Sequence, residues 1–134
     1  MKVVLDTNIL MSGIFFAGVP GEILSAWRQG RFELVLSPDV MAEYERVAGE
    51  LSEDYGGIEA DAMLALIVSK SAMMDAPPLS RQICEDPDDD IFIACAVAGG
   101  AIVIVSGDKL LLKVSAYQGV RVMTARQFVE EFIR

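Results

Sequence analysis

The chain has 134 residues, 53% of them hydrophobic and 23% charged, and a mean hydropathy of +0.41. Twenty Asp and Glu against eleven Lys and Arg give a net charge of −9, and there is no His. These values exclude disorder, collagen and coiled coil, a broad basic face for duplex nucleic acid, a Cys/His zinc site and any mechanism with a His base.

Val3-Val4-Leu5 predicts a strand buried on both faces. A helix follows from about Asn8. A second runs from Pro20 to Gln29, with Pro in its first turn and Gly30 past its end. Phe32 to Leu36 is the next strand. Ser37-Pro38-Asp39 then opens a helix, Ser37 as N-cap and Pro38 at N1, with Val40, Met41, Tyr44 and Val47 at helical spacing. Gly56-Gly57 breaks it, and Ile58 to Met73 predicts another helix. Ala76-Pro77-Pro78 is a loop. Pro87-Asp88-Asp89-Asp90 starts a helix with acids at the positive end of its dipole, and Gly99-Gly100 ends it. Ala101 to Val105 predicts a buried parallel strand. The turn Ser106-Gly107-Asp108 and a short helix to about Val114 follow, then a strand from Val120 to Met123 and a capped helix from Thr124 to Phe132. Strands alternate with helices, which implies an α/β fold with a parallel sheet covered on both faces, in one domain spanning residues 1–134.

Cys84 and Cys95 lie eleven positions apart without CxxC spacing, and are expected to be reduced core residues. Asp6 stands where a signal peptide requires an apolar stretch. The longest apolar run, 91–105, is interrupted by two glycines and falls short of the ~18–20 residues that span a bilayer. A soluble, cytoplasmic protein is expected, with no membrane partner.

Two apolar strands run into aspartates, Leu5 into Asp6 and Val105 through Ser106-Gly107 into Asp108. In an open parallel sheet the carboxyl ends of strands form the ligand edge. Glu43 lies one and a half turns into its helix, and Asp86, Asp88, Asp89 and Asp90 crowd the start of another. Asp90 shares a helical face with Ala94. Taken singly, each acid is also readable as a helix cap or a solvated helix start. If they converge, two like charges ~4 Å apart repel by about 4 kcal/mol at an effective dielectric of 20, so the group must take up protons or a cation. Oxygen donors without His or Cys select Mg²⁺ or Mn²⁺, which position and acidify a water for attack on phosphorus. Lys109 beside Asp108, with Arg28, Arg31 and Lys113, is a candidate positive rim. Phe15, Phe16 and Trp27 are candidates for base stacking or a partner helix, with core packing as the alternative.

The stretches DTNILMSGIF, LSPDVMAEY, DPDDDIFIACAVAGGA and IVIVSGDKLLL, in this order, resemble PIN domains. Within them they resemble the bacterial group of toxin components of toxin–antitoxin systems, related to the VapC toxins. The resemblance implies a Rossmann-like three-layer α/β/α sandwich with a five-stranded parallel sheet. It implies a Mg²⁺ or Mn²⁺ site of three or four acids and ribonuclease activity on single-stranded RNA. By position, Asp6, Asp90 and Asp108 are the metal-ligating acids and Glu43 the remaining catalytic acid. Asp89 is the alternative to Asp90, since the match can slip by one. Asn8 and Ser106 fall on supporting polar positions. A cognate antitoxin protein and a homodimer are the implied partners.

The reading is a metal-dependent endoribonuclease. Two rivals stay open. One is a phosphohydrolase or phospho-receiver with an Asp nucleophile, against which Asp6-Thr7-Asn8 lacks the second Asp of a DxD pattern. The other is a catalytically silent PIN-like binding scaffold.

Overall fold

The computed structural model describes residues 1–55 and 60–134. In chain order the elements are β1 (Lys2–Leu5), α1 (Thr7–Phe15), α2 (Gly18–Arg28), β2 (Glu33–Leu36), α3 (Pro38–Asp54), α4 (Ala60–Lys70), β3 (Ala72–Met73), a 3₁₀ turn (Pro87–Asp89), α5 (Asp90–Gly99), β4 (Val103–Val105), α6 (Lys109–Leu112), β5 (Arg121–Met123) and α7 (Ala125–Phe128). One π-helical turn, Val129–Ile133, continues α7.

The five strands form one parallel sheet in the order β3-β2-β1-β4-β5. Val3, Val4 and Leu5 are all buried, as are Val103, Ile104 and Val105. Successive strand residues point to opposite faces. Both faces are therefore covered, and the sheet is the middle of three layers, as expected from the near-continuous apolar runs. Each such buried aliphatic side chain contributes about 1.5–3 kcal/mol. Phe32 and Phe128 close one end of the core edge to face, with ring centroids 5.2 Å apart.

Local signals set the helix ends. Ser37 Oγ accepts from Val40 N at 3.2 Å as the N-cap of α3. Thr124 and Gln127 form a reciprocal capping box at α7. Gly100 ends α5 at φ +69°, a left-handed conformation that suits glycine. Gly99 packs so closely on Val35 that any Cβ there would collide with its side chain.

The fifth strand departs from the sequence reading. Residues 72–73 are expected at the end of a helix, but Ala72–Met73 pairs in parallel with Val35 and Leu36 at the sheet edge. A two-residue strand carries no readable period. The expected break at Gly56-Gly57 and helix start at Ile58 lie outside the described residues. Trp27 is a core residue, 2% exposed. Both cysteines are unpaired and buried, and burial pushes the Cys95 thiol up to about 11. Among the described residues no single helix is long and apolar enough to cross a membrane.

Candidate active site

The sheet order reverses between β1 and β4, the position at which open α/β sheets bind ligands. Leu5 pairs with Val105, and Asp6 N donates to Val105 O at 2.9 Å, so the two strands release their chains side by side. Asp6 follows β1 and is 5% exposed. Its carboxylate is turned to Ser106 rather than used as the cap of α1: Ser106 Oγ donates to Asp6 Oδ2 at 2.5 Å. The same hydroxyl accepts from Asp108 N at 2.9 Å. Asp108 caps α6, its Oδ1 accepting from Leu110 N at 2.8 Å. Tyr44 reaches from α3 to donate to Leu5 O at 2.5 Å, which fixes α3 on the residue preceding Asp6.

Around these groups lies a cleft of about 720 Å³. Its walls come from the start of α1 (Asp6, Thr7, Asn8), the inner face of α3 (Asp39, Glu43, Arg46, Val47), the 3₁₀ turn and start of α5, and Asp108. Asp89 belongs to it. Burial first, then the charges of Asp108, Asp6 and Asp86, push the Asp89 carboxyl up to about 7, and it shares a hydrogen bond with Asp108. Burial also raises Asp6, with Asp108 and Glu43 adding to the rise and the Ser106 bond opposing it.

Asp90 is not brought into this group. Its two oxygens accept from Ile83 N at 3.1 Å and Cys84 N at 2.7 Å, so it ties down the preceding loop. Of the two neighbours, Asp89 lines the cleft and Asp90 does not. Asp89 closes the 3₁₀ turn and Asp90 opens α5, and consecutive helical residues point about 100–120° apart, so the two carboxylates face different ways. Glu43 lines the cleft but is held by Arg46, with Nη2 to Oε1 at 2.6 Å and Nε to Oε2 at 3.3 Å. Asn8 lines the cleft; Lys109 is exposed beyond Asp108 and does not. Arg31 donates to Ile133 O and Lys113 pairs with Glu85, both away from the cleft. The cation in the cleft wall is Arg46, which sequence reading missed. Its spacing of three from Glu43 on one helix was the available signal.

Among the described residues no three His, Cys, Asp or Glu side chains are already gathered as a ligand set for one ion. Asp6 is bonded to Ser106, Asp108 to Leu110 N and Glu43 to Arg46 instead. The donor set nevertheless fits a hard divalent cation. All its donors are oxygens, and a carboxyl proton held up to about 7 between acids is replaceable by such an ion. Thr7 Oγ1, buried in the same wall, has no hydrogen-bond partner among the described residues and offers a further polar contact.

A PIN domain family model matches residues 2–110. The chain belongs to the PIN domain family. PIN domains are generally nucleases, and they typically use divalent metals. The chain is similar to the uncharacterized protein MJ1680 of Methanocaldococcus jannaschii, 28% identical over 143 residues that cover 98% of this chain and 92% of that protein. The crystal structure of PAE2754 from Pyrobaculum aerophilum matches 96% of this PIN domain chain and 87% of its own, with a TM-score of 0.60 at 15% identity, a likeness of fold.

Proposed function

We propose that this PIN domain is a Mg²⁺- or Mn²⁺-dependent endoribonuclease that cleaves single-stranded RNA, acting in the cytoplasm as the toxin of a toxin–antitoxin pair. The observation that carries the hydrolytic reading is the convergence of Asp6, Asp89 and Asp108 at the switch point, with Asp89 held up to about 7. Asp6, Asp89 and Asp108 would hold the cation. Glu43 would complete the set on release from Arg46. When bound, the cation supplies Lewis-acid polarisation of a phosphoryl oxygen and acidification of water.

The chain's own groups do the rest. Ser106 fixes one Asp6 oxygen and the Asp108 backbone together, which holds two of the acids in register. Asn8 and Thr7 present polar atoms to the cleft. Arg46 places a guanidinium in the wall of an otherwise acidic cleft, where it can meet a phosphate. The expected products carry 5′-phosphate and 3′-hydroxyl ends. The toxin role, with a cognate antitoxin and a homodimeric state, is supported by the motif resemblance.

The test is incubation of the protein with a mixed single-stranded RNA pool in Mg²⁺, Mn²⁺ or EDTA, beside Asp6→Asn and Asp89→Asn. Metal-dependent cutting lost in both variants is expected. Cutting that persists in both, or none by the parent protein in either metal, overturns the reading.

A further inference from the structure

The acidic cleft adjoins a second recess of about 340 Å³, with which it shares Asp39, Pro87 and Ile91. The floor is apolar: Pro78 and Leu79 from the loop after β3 meet Ile91 and Ala94 from α5. Asp39 stands on the side shared with the acidic cleft, and the other polar groups divide into used and unused. Asp90 is committed to the Ile83 and Cys84 amides, and Ser37 Oγ to Val40 N. Gln82 donates through Nε2 to Cys84 O at 3.0 Å and Glu85 O at 3.3 Å, which fixes the amide with its carbonyl oxygen left as an acceptor. Arg81 is exposed and makes no ion pair among the described residues.

We propose that this recess holds one unpaired nucleobase of the substrate, next to the phosphate seated in the acidic cleft, with Arg81 and Gln82 facing its polar edge. The proposal rests on the nuclease reading and deepens it. A splayed base has two apolar faces and an edge of donors and acceptors. The recess supplies apolar walls and, at its rim, a guanidinium and a fixed amide carbonyl. Its volume lies at the low end of ligand pockets, ~300–1,000 Å³, and suits one base better than a peptide helix. The shared wall of Asp39, Pro87 and Ile91 puts the recess directly beside the acidic cleft. The Arg81 guanidinium on the rim is complementary to the acceptors on a base edge. A duplex keeps its bases stacked and would leave the recess empty, so the recess also selects for single strands.

The test reads binding apart from cleavage. The methyl resonances of Leu79, Ile91 and Ala94 are followed by NMR in EDTA while nucleoside 5′-monophosphates are added one at a time, with ribose 5-phosphate as the base-free control. The expected result is a saturable shift of these methyls with at least one nucleotide and none with ribose 5-phosphate. Joint replacement Arg81→Ala and Gln82→Ala, at two exposed positions, should weaken it roughly tenfold, the loss of about one charge-assisted bond. Silent methyls with all four nucleotides overturn the proposal, and so do equal shifts with ribose 5-phosphate. Cleavage of the RNA pool is scored separately. Shifts without any cleavage leave the base site standing and remove the nuclease reading. Cleavage with silent methyls does the reverse.

Discussion

Ser106 donates a 2.5 Å hydrogen bond to Asp6 across 100 positions of sequence, and the same oxygen receives the Asp108 amide. One fully buried hydroxyl therefore joins the ends of β1 and β4 at the switch point. In Ser106→Ala both partners lose their bond inside the protein, which costs about 1–3 kcal/mol for groups left unsatisfied. The Asp6 carboxyl rises further, because the Ser106 bond is what opposes its upward shift. Urea melts should show the loss of stability, and the pH at which cutting is half-maximal should move to the alkaline side. Ser106→Thr, which retains the hydroxyl, should restore the pH profile. A variant with unchanged melt and unchanged profile would show that the bond has no such role.

Asp89 and Asp90 are neighbours with opposite expected signatures. Asp89→Asn removes a charge from among Asp6, Asp86 and Asp108, so the cation-free protein should become more stable at pH 8 while cleavage is abolished. Asp90→Asn keeps one acceptor for the Ile83 and Cys84 amides and turns an NH₂ toward the other. That variant should lose about 1–3 kcal/mol and keep its cleavage at temperatures where it is folded. Melts and cleavage on the two proteins in parallel check both. Loss of cleavage in folded Asp90→Asn with full activity in Asp89→Asn would return the site to Asp90.

That pair also shows where sequence reading reaches its limit. The helical spacing that groups Asp90 with Ala94 is right: both line the base-sized recess. That face is turned from the cleft, because Asp90 is taken up by the Ile83 and Cys84 amides, and nothing in an Asp-rich run announces which acid the preceding loop will claim. Ser37, Gly100 and the buried strands were legible because each is a strong local signal, a cap, a left-handed glycine or an unbroken β-branched run. Ala72–Met73 was not, since its strand identity comes from pairing with β2. Arg46 reads as an ordinary helix cation until α3 is docked on β1 by Tyr44.

The raised acids give a signed pH dependence. The folded protein holds the Asp89 proton to about 7, against 3.8 ordinarily, and Asp6 moves the same way. The folded state then binds protons more tightly than the unfolded chain. The stabilising contribution is full below about pH 4 and is lost as pH rises through about 7. In EDTA these groups should make the protein less stable at pH 8 than at pH 5. A bound cation relieves the same repulsion and adds about 2.7 kcal/mol at a hundredfold excess over its Kd. Mn²⁺ should therefore raise Tm clearly at pH 8 and little at pH 5. Thermal melts at both pH values, with EDTA or Mn²⁺, check this. An equal Mn²⁺ shift at the two pH values would contradict it.

Arg46 separates metal binding from substrate binding. It holds Glu43 in a two-pronged pair and contacts Glu50 at 2.8 Å, yet its side chain is 57% exposed. Exposed pairs of this kind contribute about 0–1 kcal/mol, so Arg46→Ala should barely change the melt. Its effects on the cleft should be larger and opposite in sign. With Glu43 released and one positive charge gone, Mn²⁺ should bind more tightly, as read by calorimetry. With the guanidinium gone from the cleft wall, single-stranded RNA should bind more weakly, as read by fluorescence anisotropy in EDTA. Arg46→Lys keeps the charge without the fork, and should recover part of the RNA affinity while leaving Glu43 less firmly held. If both ligands moved in the same direction in Arg46→Ala, Arg46 would be a structural tether of α3 and not a contact for phosphate.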